Sequence, residues 1–194
     1  MDKKTRDELY KNQTNELYAS IGKFVVKFEQ VCHAMRITII LILDGSGLKN
    51  QQLTNIMLAD HTAEPLRSIL LSLIGETVPL NKNEKEIIKN IFARIQQLIG
   101  SRNDIVHSMW FIGWSNDTMI DFSEAPGYKL HKNKDGEATK TFKYKKEDFE
   151  KLSKEAEILS ELVFRLHGCI LGKFSIERNF DFDKNSKVIE RKRK

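Results

Sequence analysis

Apolar residues recur at three- and four-residue spacing along most of this chain, which is the period of an amphipathic helix. In the first such stretch the pattern runs from about Asn15 to Leu43 and is ended by Asp44-Gly45-Ser46-Gly47. The same reasoning predicts three long and two short helices, over about 15–43, 51–59, 65–75, 84–109 and 146–171. The pattern therefore predicts a mainly α protein, an antiparallel helical bundle.

The period changes between the last two long helices. Residues 110–145 contain short β-prone runs separated by the turn pairs Asn116-Asp117, Pro126-Gly127 and Asp135-Gly136. We interpret them as a β-hairpin insertion before the last long helix. The sequence thus predicts one helical domain over residues 1–180, with residues 181–194 as a basic, mobile tail.

The location of the protein is predicted from features that the sequence lacks. The first residues have no apolar segment of the secretory kind, and the longest apolar run, Ile37–Leu43, is far shorter than the roughly 20 residues that span a bilayer. Cys32 and Cys169 lie on apolar stretches, as thiols do in a reducing compartment. We therefore expect a cytoplasmic protein with no membrane partner.

The positive charge is concentrated in two segments. The formal net charge is +5, yet residues 128–146 alone carry +5 and residues 184–194 carry another +5, so the remainder is slightly acidic. Localised positive charge favours a polyanionic partner. RNA is the partner that we predict.

Arg102 stands at a seam position where the helical pattern calls for an apolar side chain. A charge there must be paired or must face a cleft, because burying it alone costs several kcal/mol. Asn103 and His107 are four residues apart and share the adjacent face. Arg102 and His107 are separated by about 140° around the axis and by roughly 7.5 Å along it, so both can border one cleft without touching.

An arginine with a histidine suits RNA cleavage without a metal ion. The 2′-hydroxyl must lose a proton as it attacks phosphorus, and the 5′-oxygen must gain one as it leaves. Histidine can move either proton near neutral pH, and a guanidinium can brace the phosphate. Because no Cys/His cluster has zinc-ligand spacing and no Gly-rich phosphate loop is present, we predict neither metal nor cofactor.

The segment Arg102-Asn103-Asp104-Ile105-Val106-His107 resembles the motif of the HEPN family of helical-bundle ribonucleases, in which Arg and a polar residue precede His. The resemblance covers about residues 15–171 without the insertion. It implies a homodimer whose two motifs form one composite, metal-independent site, in a toxin or antiviral defence effector that has an antitoxin or another defence-system protein as partner. Family members also place a polar residue on the first helix facing the site, which here would be Glu29, orienting Arg102.

Other interpretations of these residues remain open. In the alternative interpretation, Arg102 pairs with an acidic residue between helices and His107 caps a helix end. Glu29 then lies on a solvated edge of its helix. The protein would then be a non-catalytic RNA-binding or regulatory partner that keeps the bundle and the dimer but not the reaction.

The insertion interleaves lysines with aromatic residues, as single-stranded RNA-binding surfaces do. The residues that we predict to bind RNA are Lys129, Lys132, Lys140, Lys143, Tyr128 and Phe142. A solvated hairpin with a lysine-protected edge is the alternative. Trp110 and Trp114 are predicted to close the core at the helix end rather than to stack on bases.

Overall fold

The structure is a computed structural model and describes residues 2–114, 121–134 and 136–191. Its helices are α1 Lys3–Gly45, α2 Gln51–Leu58, α3 Ala63–Thr77, α4 Lys82–Val106 and α5 Lys146–Leu171. Its strands are β1 Met109–Trp110, β2 Glu124–Asn133, β3 Gly136–Lys145, β4 Phe180–Phe182 and β5 Val188–Glu190. The prediction of a mainly α protein is confirmed.

The helix ends differ from the prediction where capping, rather than burial, decides them. Helix α1 begins at Lys3 because Asp2 caps it, its carboxylate accepting hydrogen bonds from the amide and the hydroxyl of Thr5 at 3.0 and 2.6 Å. The first turns are exposed, so apolar spacing could not indicate them. Helix α4 ends at Val106, before the predicted Met109, which leaves His107 just beyond the helix.

The chain divides into two compact units, and the prediction of a single helical domain stays a prediction. The first comprises residues up to Lys27 together with Gly100–Glu155, and the second comprises Phe28–Ile99 with the residues from Ala156 onward. Large buried side chains of the first unit are Leu17, Phe24, Ile105, Ile112 and Phe149. Those of the second include Phe28, Met35, Ile39, Leu66, Leu70, Ile74, Ile91, Ile95, Val163 and Leu166.

The predicted hairpin insertion is present in the first unit as an antiparallel sheet in the order β1-β2-β3. Its register pairs Tyr128 with Thr141 and Lys129 with Lys140, while Met109 of β1 lies opposite Tyr128. Because side chains alternate along a strand, the sheet has an inner face (Trp110, Ala125, Gly127, Lys129, Lys140, Phe142, Tyr144) and an outer face (Met109, Glu124, Pro126, Tyr128, Leu130, Lys132, Lys143, Lys145). One of the β-prone runs predicted within residues 110–145, that over 118–122, lies mostly outside the described residues.

The segment expected to be a mobile tail is folded as far as residue 191. Strands β4 and β5 pair, and the Val188 side chain is fully buried. The amide of Val188 donates to Asn90 Oδ1 at 3.0 Å, and its carbonyl accepts a hydrogen bond from Nη1 of buried Arg94 at 2.7 Å. Composition indicated a mobile tail because basic residues dominate this segment. The burial of Val188 nevertheless fixes its structure. Residues 192–194 lie outside the described part.

Within the described residues, no helix combines the length and the apolar character that crossing a membrane requires.

Candidate functional site

The Arg102-to-His107 motif lies in the first unit, at the end of α4. Arg102 is half-buried and its Nη1 donates a hydrogen bond to Asn103 Oδ1 at 3.3 Å. The His107 amide donates to the Asn103 carbonyl oxygen at 3.2 Å, while the His107 side chain is exposed. Asn103 therefore contacts both residues: its side chain holds Arg102 and its carbonyl holds the turn that presents His107.

Asp104, the next residue of the motif, joins α4 to the inner face of the hairpin. Lys129 Nζ lies 3.2 Å from Asp104 Oδ1 and 3.4 Å from the Asn103 carbonyl oxygen, and Lys140 Nζ forms an ion pair with Asp104 Oδ2. Partial burial alone would raise the pKa of Asp104, but hydrogen bonds from Lys140 and Lys129 outweigh it and hold the pKa below its ordinary value. Two ammonium groups against one carboxylate leave excess positive charge beside the motif.

Our sequence interpretation gave Asp104 no role, although the hairpin pattern contained a signal for it. The register of β2 and β3, which pairs Asn133 with Gly136, places Lys129 and Lys140 directly opposite each other. Like charges in that position destabilise a sheet, so an acidic partner on the same face was to be expected.

Trp110 anchors the inner face of the hairpin against the end of α4, as predicted for this residue. Its ring lies 5.7 Å from Tyr144 and 5.8 Å from Phe149 between centroids, and its Nε1 donates to the Ile105 carbonyl at 2.8 Å. Gly127 leaves room for the ring, since a Cβ there would lie 2.7 Å from Trp110 Cε3. The hairpin is therefore fixed to the helix that carries the motif.

The six predicted RNA-binding residues are divided between the two faces of the hairpin. On the inner face, Lys129 and Lys140 engage Asp104, and the ring of Phe142 lies 6.0 Å from that of Trp110. On the outer face lie Tyr128, Lys132 and Lys143. No single surface of the hairpin presents all six, so the faces must be considered separately.

Glu124 holds two lysines of the outer face. Lys143 Nζ forms an ion pair with Glu124 Oε2, and Lys145 Nζ lies 3.2 Å from Oε1. Hydrogen bonds from Lys143 and Lys145 hold the pKa of Glu124 below its ordinary value. The carboxylate stays ionised near neutral pH. A second carboxyl nearby, that of Asp121, has its pKa lowered by hydrogen bonds from Ser123 and by the charges of Lys145 and Lys143.

The prediction that Trp114 closes the core is wrong. Its side chain is 69% exposed, and its ring forms an edge-to-face pair with that of Phe111, at 5.3 Å between centroids and an interplanar angle of 72°. Trp114 lies beyond the short strand β1, after Gly113, whose positive φ of 74° turns the backbone. Apolar character alone did not distinguish Trp114 from the packed Trp110.

Glu29 is exposed on α1 and belongs to the second unit. Its role in orienting Arg102 stays a prediction.

The part of the chain that the structure describes contains no group of three or more His, Cys, Asp or Glu residues arranged to hold a metal ion. Comparison of the chain with protein-family profiles, curated proteins and solved structures found no match.

Proposed function

We propose that this protein is a metal-independent endoribonuclease, with His107 as the acid-base residue, Arg102 bracing the phosphate and Asn103 positioning both. The observation that carries the proposal is the double contact of Asn103, whose Oδ1 accepts from Arg102 and whose carbonyl accepts from the His107 amide. The Arg102 guanidinium and the backbone of His107 are thereby held by one residue at one helix end.

The proposed reaction proceeds by attack of the RNA on itself. A neutral His107 imidazole accepts the proton of the 2′-hydroxyl as O2′ bonds to phosphorus, and an imidazolium donates a proton to O5′ as the P–O5′ bond breaks. The products are a 2′,3′-cyclic phosphate and a 5′-hydroxyl. The extra negative charge of the phosphorane is stabilised by the Arg102 guanidinium.

The charge around the motif suits an anionic substrate. Lys129 and Lys140 both form ion pairs with the Asp104 carboxylate, which belongs to the motif. One of their two positive charges is left unneutralised by Asp104, and it adds to the charge of Arg102. Lysines beside a reacting phosphate hold the flanking backbone by charge, without reading the base sequence.

The proposal includes a HEPN-like bundle and a C2 homodimer in which the ends of two α4 helices approach each other. Two copies of His107 in one composite site would let one accept a proton while the other donates one. Light scattering should show a dimer at micromolar concentration. A fully active monomer would contradict the composite site.

The biological role that we propose is that of a toxin or antiviral defence effector, with an antitoxin or other defence protein as partner.

A substrate with one modified nucleotide tests the reaction directly. Purified protein should cut an RNA oligonucleotide in the presence of EDTA, and the ends should be 5′-hydroxyl and 2′,3′-cyclic phosphate. The same oligonucleotide with a single 2′-deoxy nucleotide should bind about as tightly but resist cutting at the bond 3′ of it, because the nucleophile is missing. Cutting at that bond, or loss of activity in EDTA, would contradict the mechanism. RNA that is bound but never cut would favour the non-catalytic alternative.

A further inference from the structure

A continuous strip of large side chains begins on the outer face of the hairpin, two residues after His107, and continues along the segment that follows β1. We call it the aromatic strip, and its members are Met109, Tyr128, Phe111 and Trp114. The Tyr128 hydroxyl donates to Met109 Sδ at 3.4 Å, and the Tyr128 and Phe111 rings are stacked at 5.8 Å with an interplanar angle of 28°. Trp114 continues the strip from Phe111.

The strip combines two exposed side chains, Met109 and Trp114, with the half-buried Tyr128 and Phe111. Trp114 is 69% exposed and Met109 is 57% exposed, whereas Trp110, next to Met109 in the chain, is packed on the inner face. Contiguous apolar groups at a protein surface mark binding sites. Since Tyr128 and Phe111 support each other, the strip is a preformed surface rather than a set of separate side chains.

The lysines of the same face distinguish between possible partners. Tyr128 lies opposite Thr141, so Lys143 occupies the next outer-face position along β3, and Lys145 the one after it. Both ammonium groups pair with the carboxylate of Glu124, and both also act on the nearby Asp121 carboxylate. Lysine is depleted in protein–protein interfaces, whereas aromatic rings beside lysines are what single-stranded nucleic acid requires for its bases and its phosphates.

We infer that the aromatic strip binds single-stranded RNA, with unpaired bases stacked on Trp114 and on the Tyr128–Phe111 pair, and with phosphates beside Lys143 and Lys145. The inference rests on the proposed function and gives it a substrate class: the RNA must be unpaired where it leaves His107. Bases in a duplex stack on each other and offer no free face to the strip.

Binding of a 2′-O-methyl oligonucleotide tests the strip separately from cleavage, because the methyl group blocks the nucleophile. With a fluorescein-labelled single strand, fluorescence anisotropy should show that Trp114→Ala weakens binding by about fivefold or more. Trp114→Phe should retain most of the affinity. Phe174→Ala, which removes an aromatic side chain of similar exposure (66%) in the other unit, is the matched control and should bind like wild type.

Two further readouts make the test independent of folding. Intrinsic fluorescence of the wild type should be quenched by the single strand, and the Trp114→Phe variant, which retains only Trp110, should lose that quenching. With a blunt duplex of the same sequence, wild type and Trp114→Ala should bind equally.

Other results would decide against the strip. Wild-type affinity in Trp114→Ala, or no binding of the single strand by wild type, would overturn the inference even if RNA were cut normally. A change in oligomeric state of Trp114→Ala, with the oligonucleotide affinity unchanged, would show that the strip binds protein instead. Conversely, Trp114-dependent binding without any cleavage would support the strip and contradict the nuclease.

Discussion

Lys129 Nζ lies 3.2 Å from Asp104 Oδ1, so a lysine at the middle of the hairpin is paired with a residue inside the proposed catalytic motif. Lys140 reaches the other oxygen of the same carboxylate from the opposite strand. The two lysines face each other across β2 and β3, where they would repel without a shared anion. Asp104 therefore stabilises the hairpin and holds it at the motif.

Asp104→Asn should destabilise the protein by about 1 kcal/mol near pH 7, because it removes two charged hydrogen bonds at a partly exposed site. The pKa of Asp104 is lower in the folded protein than its ordinary value of 3.8, so the stabilisation is fully present above that value and is lost as pH falls through the lower, folded value. Urea unfolding should therefore show a difference between wild type and variant that is constant above about pH 5 and that shrinks at more acidic pH.

Asp183→Asn is the matched control for that experiment, since Asp183 also has a lowered pKa but lies in the second unit, where it accepts hydrogen bonds from the amides of Asn185 and Lys187. Asp183→Asn should leave unchanged the RNA cleavage that we expect to depend on the β2–β3 hairpin. A difference between wild type and Asp104→Asn that grew toward acidic pH would contradict the ion pairs.

The two tryptophans should differ sharply in their contribution to stability. Trp110→Ala removes the ring that packs on Tyr144 and Phe149 and should cost about 3–5 kcal/mol in the free energy of unfolding. Trp114→Ala should change it by no more than about 0.5 kcal/mol, because that side chain is exposed. Urea denaturation of both variants measures this, and equal losses would show that Trp114 is part of the core.

Sequence patterns predicted the helices well because burial sets their period, and β-prone runs predicted the hairpin. The prediction of a turn at Pro126-Gly127 is wrong, because both residues lie within β2 and pair with β3. The patterns missed the start of α1 at Lys3, where a side-chain cap on an exposed segment decides the boundary. They also could not separate Trp110 from Trp114, since both are apolar and only the turn at Gly113 directs the second outward. At the site, spacing related Arg102 and Asn103 to His107, but the contact of Asp104 with the hairpin depends on tertiary structure.

The anchored C-terminal hairpin gives a further prediction about stability. Val188→Ala should cost about 2 kcal/mol, because the side chain is fully buried. Ile189→Ala, at the next position of β5, removes a larger side chain that is 40% exposed and should cost no more than about 0.5 kcal/mol. Thermal unfolding of the two variants measures the difference. Two equally small effects would restore the mobile tail that composition suggested.

His107→Ala gives the most direct test of the proposed chemistry. The His107 side chain is exposed and follows the end of α4, so its removal should leave the unfolding free energy nearly unchanged. Only the His107 backbone amide bonds to Asn103, and alanine keeps that amide. Cleavage should nevertheless fall by at least about a hundredfold, because proton transfer to and from the reacting oxygens is lost.

His33→Ala is the matched control, since His33 is also exposed but lies on α1 in the second unit. It should cut RNA at the wild-type rate. Affinity for a 2′-O-methyl single strand should be the same in wild type and both variants, because charge and stacking, not the imidazole, determine binding. If His107→Ala cut RNA normally, or if it lost activity only because it unfolded, His107 would not be the acid-base residue. Cleavage by this chain would then have to depend on residues other than the Arg102-to-His107 motif.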